Sequence, residues 1–125
     1  MKKTILSVFF AGLWINFFEF FRNEFLLKSF WTNHYEAIGM PYPGAWYNGL
    51  VWGIWGFAFA YAIYVIYKKH SFWSAVWLSW FVGFVLMWLV VGNMGIFPLN
   101  ILWYAVPMSV LEVLVAMKIY QRMVK

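Results

Sequence analysis

The chain has 125 residues, of which 66% are hydrophobic, 26% aromatic and only 10% charged, and its formal net charge is +5. A soluble domain carries about a quarter charged residues, so this composition lacks the polar surface a water-soluble globule needs and suits a single domain embedded in a lipid bilayer. The absence of cysteine excludes disulfides, thiolate metal sites and cysteine nucleophiles, and the basic residues gather at chain ends and one turn, which argues against nucleic acid as a partner.

Crossing a hydrocarbon core of about 30 Å takes about 20 apolar residues. Four stretches qualify, residues 4–21, 45–67, 72–92 and 96–117. They predict an all-α integral membrane protein: a four-helix transmembrane bundle of two hairpins, forming one domain over residues 1–125. Lys2, Lys3, Lys68, Lys69, Lys118, Arg122 and Lys125 all fall on one side of such a chain. Arg22 and Lys28 fall on the other, offset by Glu24 and Glu36. The positive-inside rule then predicts a plasma (inner) membrane protein with both termini cytoplasmic. Met1-Lys2-Lys3 before an apolar run opens like a signal peptide. No small-x-small cleavage site follows it, so an uncleaved first helix is expected.

The first helix carries a polar stripe, Gly12, Asn16, Glu19 and Asn23, at steps of four, three and four residues, with Arg22 three residues after Glu19. Such spacing places the stripe on one helical face. Either Glu19 and Arg22 form a local pair at the outer interface, or the stripe lines a polar cavity opening outward.

Residues 25–38 read as an amphipathic helix lying on the outer interface. Leu27, Phe30, Trp31, Tyr35 and Ile38 share one face, and Lys28, Ser29, Thr32, Asn33 and Glu36 the other. Gly39 suits its C-terminus, and Pro41 and Pro43 forbid its continuation. His34 with Glu24 and Glu36 would make a poor metal site. His70, the second histidine of the chain, falls on the opposite side, so no metal, haem or other cofactor is expected.

The second crossing has small residues at Gly49, Gly53, Gly56 and Ala60, and the third at Ala75, Ser79 and Gly83. Small-residue stripes let helix backbones approach closely, either within the bundle or across a homo-oligomer. Trp52, Trp55, Trp80 and Trp88 sit deep in these spans and read as core filling.

In the last crossing, Pro107 frees the carbonyl of Trp103 and is expected to kink the helix. Ala105, Ser109, Glu112 and Ala116 follow at steps of four, three and four, which turns Glu112 toward protein rather than lipid. A carboxylate at such depth costs a few kcal/mol or more unless it is protonated, partnered or wetted. With the helix ending at residue 117, Glu112 lies about 8 Å from the cytoplasmic end and Glu19 about 20 Å or more, so the two are not expected to meet. Tyr61, Tyr64, Ser79, Trp80 and Ser7 are the polar groups expected at the level of Glu112. With neither histidine nor a second carboxylate in reach, hydrolytic catalysis lacks its acid–base set, and an enzyme has the least support.

Carboxylates on small-residue faces point first to a transport or permeation protein for a small solute, proton or cation. Glu112, Glu19, Asn16, Arg22, Ser109, Tyr61 and Tyr64 are its candidate pathway residues, and it would assemble as a homo-oligomer. An accessory subunit of a larger membrane complex, or a protein binding lipid or another apolar ligand, are the alternatives. Co-purification with unrelated chains marks the first of these, and a tryptophan fluorescence response to lipid the second.

Overall fold

The computed structural model describes residues 1–124; Lys125, one of the basic residues used above, lies outside them. The described residues are all-helical, with no strand. Helix α1 spans Lys2–Leu26, α3 Trp46–Tyr67, α4 Phe72–Asn93 and α5 Leu99–Met123, each long and apolar enough to cross a membrane, at a mean hydropathy of 1.6 to 2.1. The short helix α2, Lys28–Ala37, lies between the first two.

Helix α1 packs against α3 and α5, α4 packs against the same two, and α3 also touches α5. Ala11 and Ile15 of α1, Ala60 and Ile63 of α3, Ala75 of α4, and Val113, Ala116 and Met117 of α5 make a core with no exposed surface. Outward, the helices remain apolar: Phe17 is 63% exposed, Leu89 64% and Trp103 86%. Without disulfides or a large core, inward packing has to come from close helix approach. It does. A side-chain carbon at Gly12 would stand 2.2 Å from the Phe57 ring, at Gly83 2.3 Å from the Phe59 ring, and at Gly56 2.3 Å from the Asn16 side chain.

Most positions of the small-residue stripes are therefore occupied inside the chain. Ala60, Ala75 and Ser79 are fully buried, while Gly56 and Gly83 each receive a side chain. Gly49 and Gly53 alone of the two stripes have open space beside them.

Four boundaries differ from the hydropathy reading, the start of α5 among them, which falls at Leu99 after Pro98 rather than at residue 96. Helix α1 runs on to Leu26 through a π-helical segment, Phe21–Leu26, because Arg22 finds Glu19 one turn earlier and its charge does not stop the helix. The short helix accordingly starts at Lys28 rather than at residue 25. Helix α5 continues to Met123 rather than to residue 117, since Lys118 to Arg122 end the apolar run but not the helical hydrogen bonding. Pro107 lies within α5, which continues through it.

Gly39 and Gly95 close α2 and α4 with φ of 70° and 75°, a left-handed conformation that glycine adopts without steric penalty. Helix α2 lays its apolar face on protein. Leu27 is buried with Phe97, Ile101 and Ala105, and Phe30 and Trp31 pack on that cluster. His34 ties α2 down through a 2.8 Å hydrogen bond between Nε2 and the Gly95 carbonyl.

Candidate functional site

Level with the middle of α5, three ionisable side chains from two helices converge. Arg22 Nη2 donates to Glu19 Oε1, and Arg22 Nη1 lies 3.9 Å from Glu112 Oε1. All three residues are buried, Glu112 completely. Glu19 is well held, because its other oxygen accepts from Asn23 Nδ2 at 3.0 Å. Glu112 is not. Both its carboxyl oxygens and Arg22 Nη1 are buried without a hydrogen-bond partner, a rare state for buried polar groups. The guanidinium rests over the Phe84 ring of α4, 5.5 Å from its centroid.

The meeting of Glu19 and Glu112 around one arginine corrects the depth argument from sequence. With α5 running to Met123, about 16 Å of helix separates Glu112 from that end. Trp14 marks the matching level on α1, its Nε1 donating to the Glu112 carbonyl at 3.0 Å. Arg22 spans the remaining height, its long side chain reaching back past Glu19 toward Glu112. A second carboxylate is thus near Glu112 after all, with the guanidinium between them. Two π-helical segments bracket the cluster, Phe21–Leu26 holding Arg22 and Phe81–Val85 holding Phe84. Such wide turns often mark functional sites.

Between the cluster and the end of the molecule that carries α2 lies a cavity with two lobes. The outer lobe, of about 380 Å³, is lined by Asn16, Glu19, Asn23 and Glu24 of α1, Trp31 and Tyr35 of α2, Tyr42 of the following turn, and Gly49, Trp52 and Gly53 of α3. The inner lobe, of about 200 Å³, adds Arg22, Trp55, Phe84, Met87, Trp88 and Phe97, and shares Glu19, Asn23, Trp31, Tyr35 and Trp52 with the outer one. Its roof is anchored by the bond from Trp31 Nε1 to Asn23 Oδ1 at 3.1 Å. Burial, then the nearby Glu24 carboxylate, raises the Tyr42 phenol above its ordinary pKa, with Lys28 opposing.

Of the residues singled out from sequence, Asn16, Glu19, Arg22 and Glu112 are gathered here. Asn16 faces the cavity and donates weakly to the Gly53 carbonyl, at 3.4 Å. Ser109 is buried elsewhere on α5, accepting from Trp80 Nε1 at 2.9 Å and donating to the Val106 carbonyl. Tyr64 is turned toward Thr4 and the Tyr120 ring, and Tyr61 faces outward, 60% exposed. Neither tyrosine is at the level of Glu112. Ser7 instead caps the Thr4 carbonyl at 2.7 Å. Trp31, Tyr35, Tyr42 and Trp52 were missed as a set. They come from three segments, and nothing in their spacing along the chain shows that the fold closes them on one space.

Among the described residues no group of three histidine, cysteine, aspartate or glutamate side chains stands close enough to hold a metal ion. No family model matches the chain, and neither a curated protein sequence nor a solved structure does.

Proposed function

We propose that this chain is a four-helix transmembrane bundle, with both termini cytoplasmic in the plasma (inner) membrane, that moves a small solute, proton or cation through the cavity above Glu19 and Glu112. The observation that carries the reading is the buried Glu112 carboxyl without a partner, 3.9 Å from an arginine that lines the cavity. A purely structural pair needs one carboxyl per guanidinium, whereas here two carboxyls share one. With one guanidinium and two carboxyls, the cluster is neutral when it holds a single proton. Arg22 can swing from Glu19 to Glu112 over a gap of about an ångström beyond hydrogen-bond reach. Such a three-group cluster exchanges a proton or cation with the cavity while the low-dielectric surroundings keep its charge near zero.

Access is one-sided. The cavity opens toward α2, and beyond Glu112 the way to the termini is filled by Ile63, Val113, Ala116 and Met117 without exposed surface. The arrangement suits one state of an alternating-access cycle, with the substrate site at mid-bundle where kinked or broken helices commonly place it.

The test is flux in proteoliposomes loaded with a pH-sensitive dye, comparing the native chain with Glu112→Gln and Glu19→Gln. A fall of at least tenfold in both variants, each still eluting as a folded species from size exclusion, is the expected outcome. Undiminished flux in both overturns the reading. A second reading, binding of an apolar ligand without transport, is favoured by the aromatic lining of the inner lobe, and it predicts no flux in any variant.

A further inference from the structure

We propose that the two-lobed cavity takes an amphipathic organic monocation, a substituted ammonium whose charged head sits in the outer lobe and whose apolar body enters the inner one. The inference rests on the cavity being the solute site and names the class of solute.

The outer lobe has the charge for it. Glu19 and Glu24 line it, and the cations that pair with them, Arg22 on Glu19 and the exposed Lys28 Nζ 3.1 Å from Glu24, stand outside its wall. An anion would meet two carboxylates at the wall, with both cations behind them. The cluster behind the wall can exchange its proton for the charge of the ligand: with both carboxyls ionised, one guanidinium serves two of them, and an incoming monocation restores neutrality. The Glu112 oxygens, buried without partners, are an independent sign that the chain leaves acceptor capacity in this cluster unanswered.

The wall is also aromatic. Trp31, Tyr35, Tyr42 and Trp52 surround the lobe on several sides, and the Tyr35 and Tyr42 rings stand at 81° to each other, 5.6 Å between centroids. Rings set at angles around one space are how proteins recognise alkylammonium groups, through the negative faces of their π systems. A hydrated metal ion would not use this wall. It would need several oxygen ligands converging, and Glu19 is already engaged by Arg22 and Asn23.

The inner lobe supplies the other half of the chemistry. Beyond Arg22 and the shared residues it is lined by Trp55, Phe84, Met87 and Trp88, so an apolar body leaves water there for an aromatic and thioether surface. A ligand with only the charge would leave this lobe unfilled. One with only the body would leave Asn16, Asn23 and the carboxylates unanswered.

Calorimetric titration of the full chain in detergent tests it, using phenyltrimethylammonium beside its uncharged isostere tert-butylbenzene, the anion benzenesulfonate, and tetramethylammonium, which lacks the ring. Saturable binding of phenyltrimethylammonium is expected, with each of the others at least tenfold weaker. Glu24→Gln and Trp52→Leu, both at partly open positions that the fold does not depend on, should each weaken the cation about fivefold to tenfold. The exposed Glu36→Gln should leave it unchanged. Equal affinity for tert-butylbenzene or benzenesulfonate overturns the inference, as does a folded protein that binds none of the four. Tetramethylammonium binding as tightly as the ring-bearing cation overturns the role of the inner lobe. The two readings separate cleanly. Glutamate-dependent proton flux in a protein that ignores phenyltrimethylammonium removes this inference alone. Saturable binding with no flux leaves the ligand class and removes transport.

Discussion

The end of the bundle that holds the termini and the end that holds α2 treat polar groups in opposite ways. Toward the termini, two of the buried hydroxyls have near partners, while that of Ser79 is packed without one. Ser7 donates to the Thr4 carbonyl, and Tyr120 donates across helices to the Ala60 carbonyl. Toward α2, the polar groups are charged, more numerous and incompletely satisfied, and they border open space rather than packed side chains. Both ends are built from the same apolar helices with glycine at the contacts. One end uses polar residues such as Tyr120 to fasten helices together, and the other leaves them bordering a cavity. The same contrast runs along a single helix. Gly56 of α3 is filled by the Asn16 side chain, while Gly53 and Gly49, one and two turns toward α2, face open space.

The largest way to break this comparison is Arg22→Met. It strands Glu19 and Glu112 without their only cation, and removing one partner from a buried charged set costs about 3–5 kcal/mol. Denaturation in detergent should show that loss, and adding Glu19→Gln should recover part of it. A variant as stable as the native chain would mean that the cluster is not electrostatically coupled at all.

Next comes Gly56→Ala. Its methyl would overlap the Asn16 amide, so that side chain has to swing away and give up its bond to the Gly53 carbonyl, at about 1–2 kcal/mol. Unchanged thermal stability would contradict the close approach of these helices.

Tyr120→Phe is smaller. It removes one hydrogen bond to the Ala60 carbonyl, worth about 1 kcal/mol, and should leave binding of phenyltrimethylammonium untouched, since it acts at the packed end. A change in that binding would dissolve the distinction between the ends.

Smallest is Gly49→Ala, where open space receives the methyl. Stability should stay within about 0.5 kcal/mol of the native value or rise slightly with helix propensity. Any cost near that of Gly56→Ala would show that the outer lobe is not open as described.

Much of this architecture is legible in the residues. Four apolar runs, each long enough to span, follow from composition alone, and the helical spacing of Asn16, Glu19 and Asn23 places one polar face correctly. Gly39 and the prolines after it mark the end of α2, since few other residues accept its backbone. The failures have a shared cause. Hydropathy ends a run where charge begins, but a helix ends where its hydrogen bonds do. Reading α5 as stopping at residue 117 therefore set Glu112 too near that end, and the same error cut α1 short at Arg22.

By itself, then, the sequence determined which segments are helical and apolar, which faces carry polar groups, and that Glu112 points toward protein, because these depend on the chemistry and local period of the chain. Only the tertiary structure decided what those faces meet. The relative height of two antiparallel helices brings Glu112 to Arg22, and the packing of α2 on Phe97, Ile101 and Gly95 sets Trp31 and Tyr35 around one cavity with Tyr42 and Trp52. Contacts between distant segments are set by the register in which helices pack, and a single chain's periodicity carries no information about that register.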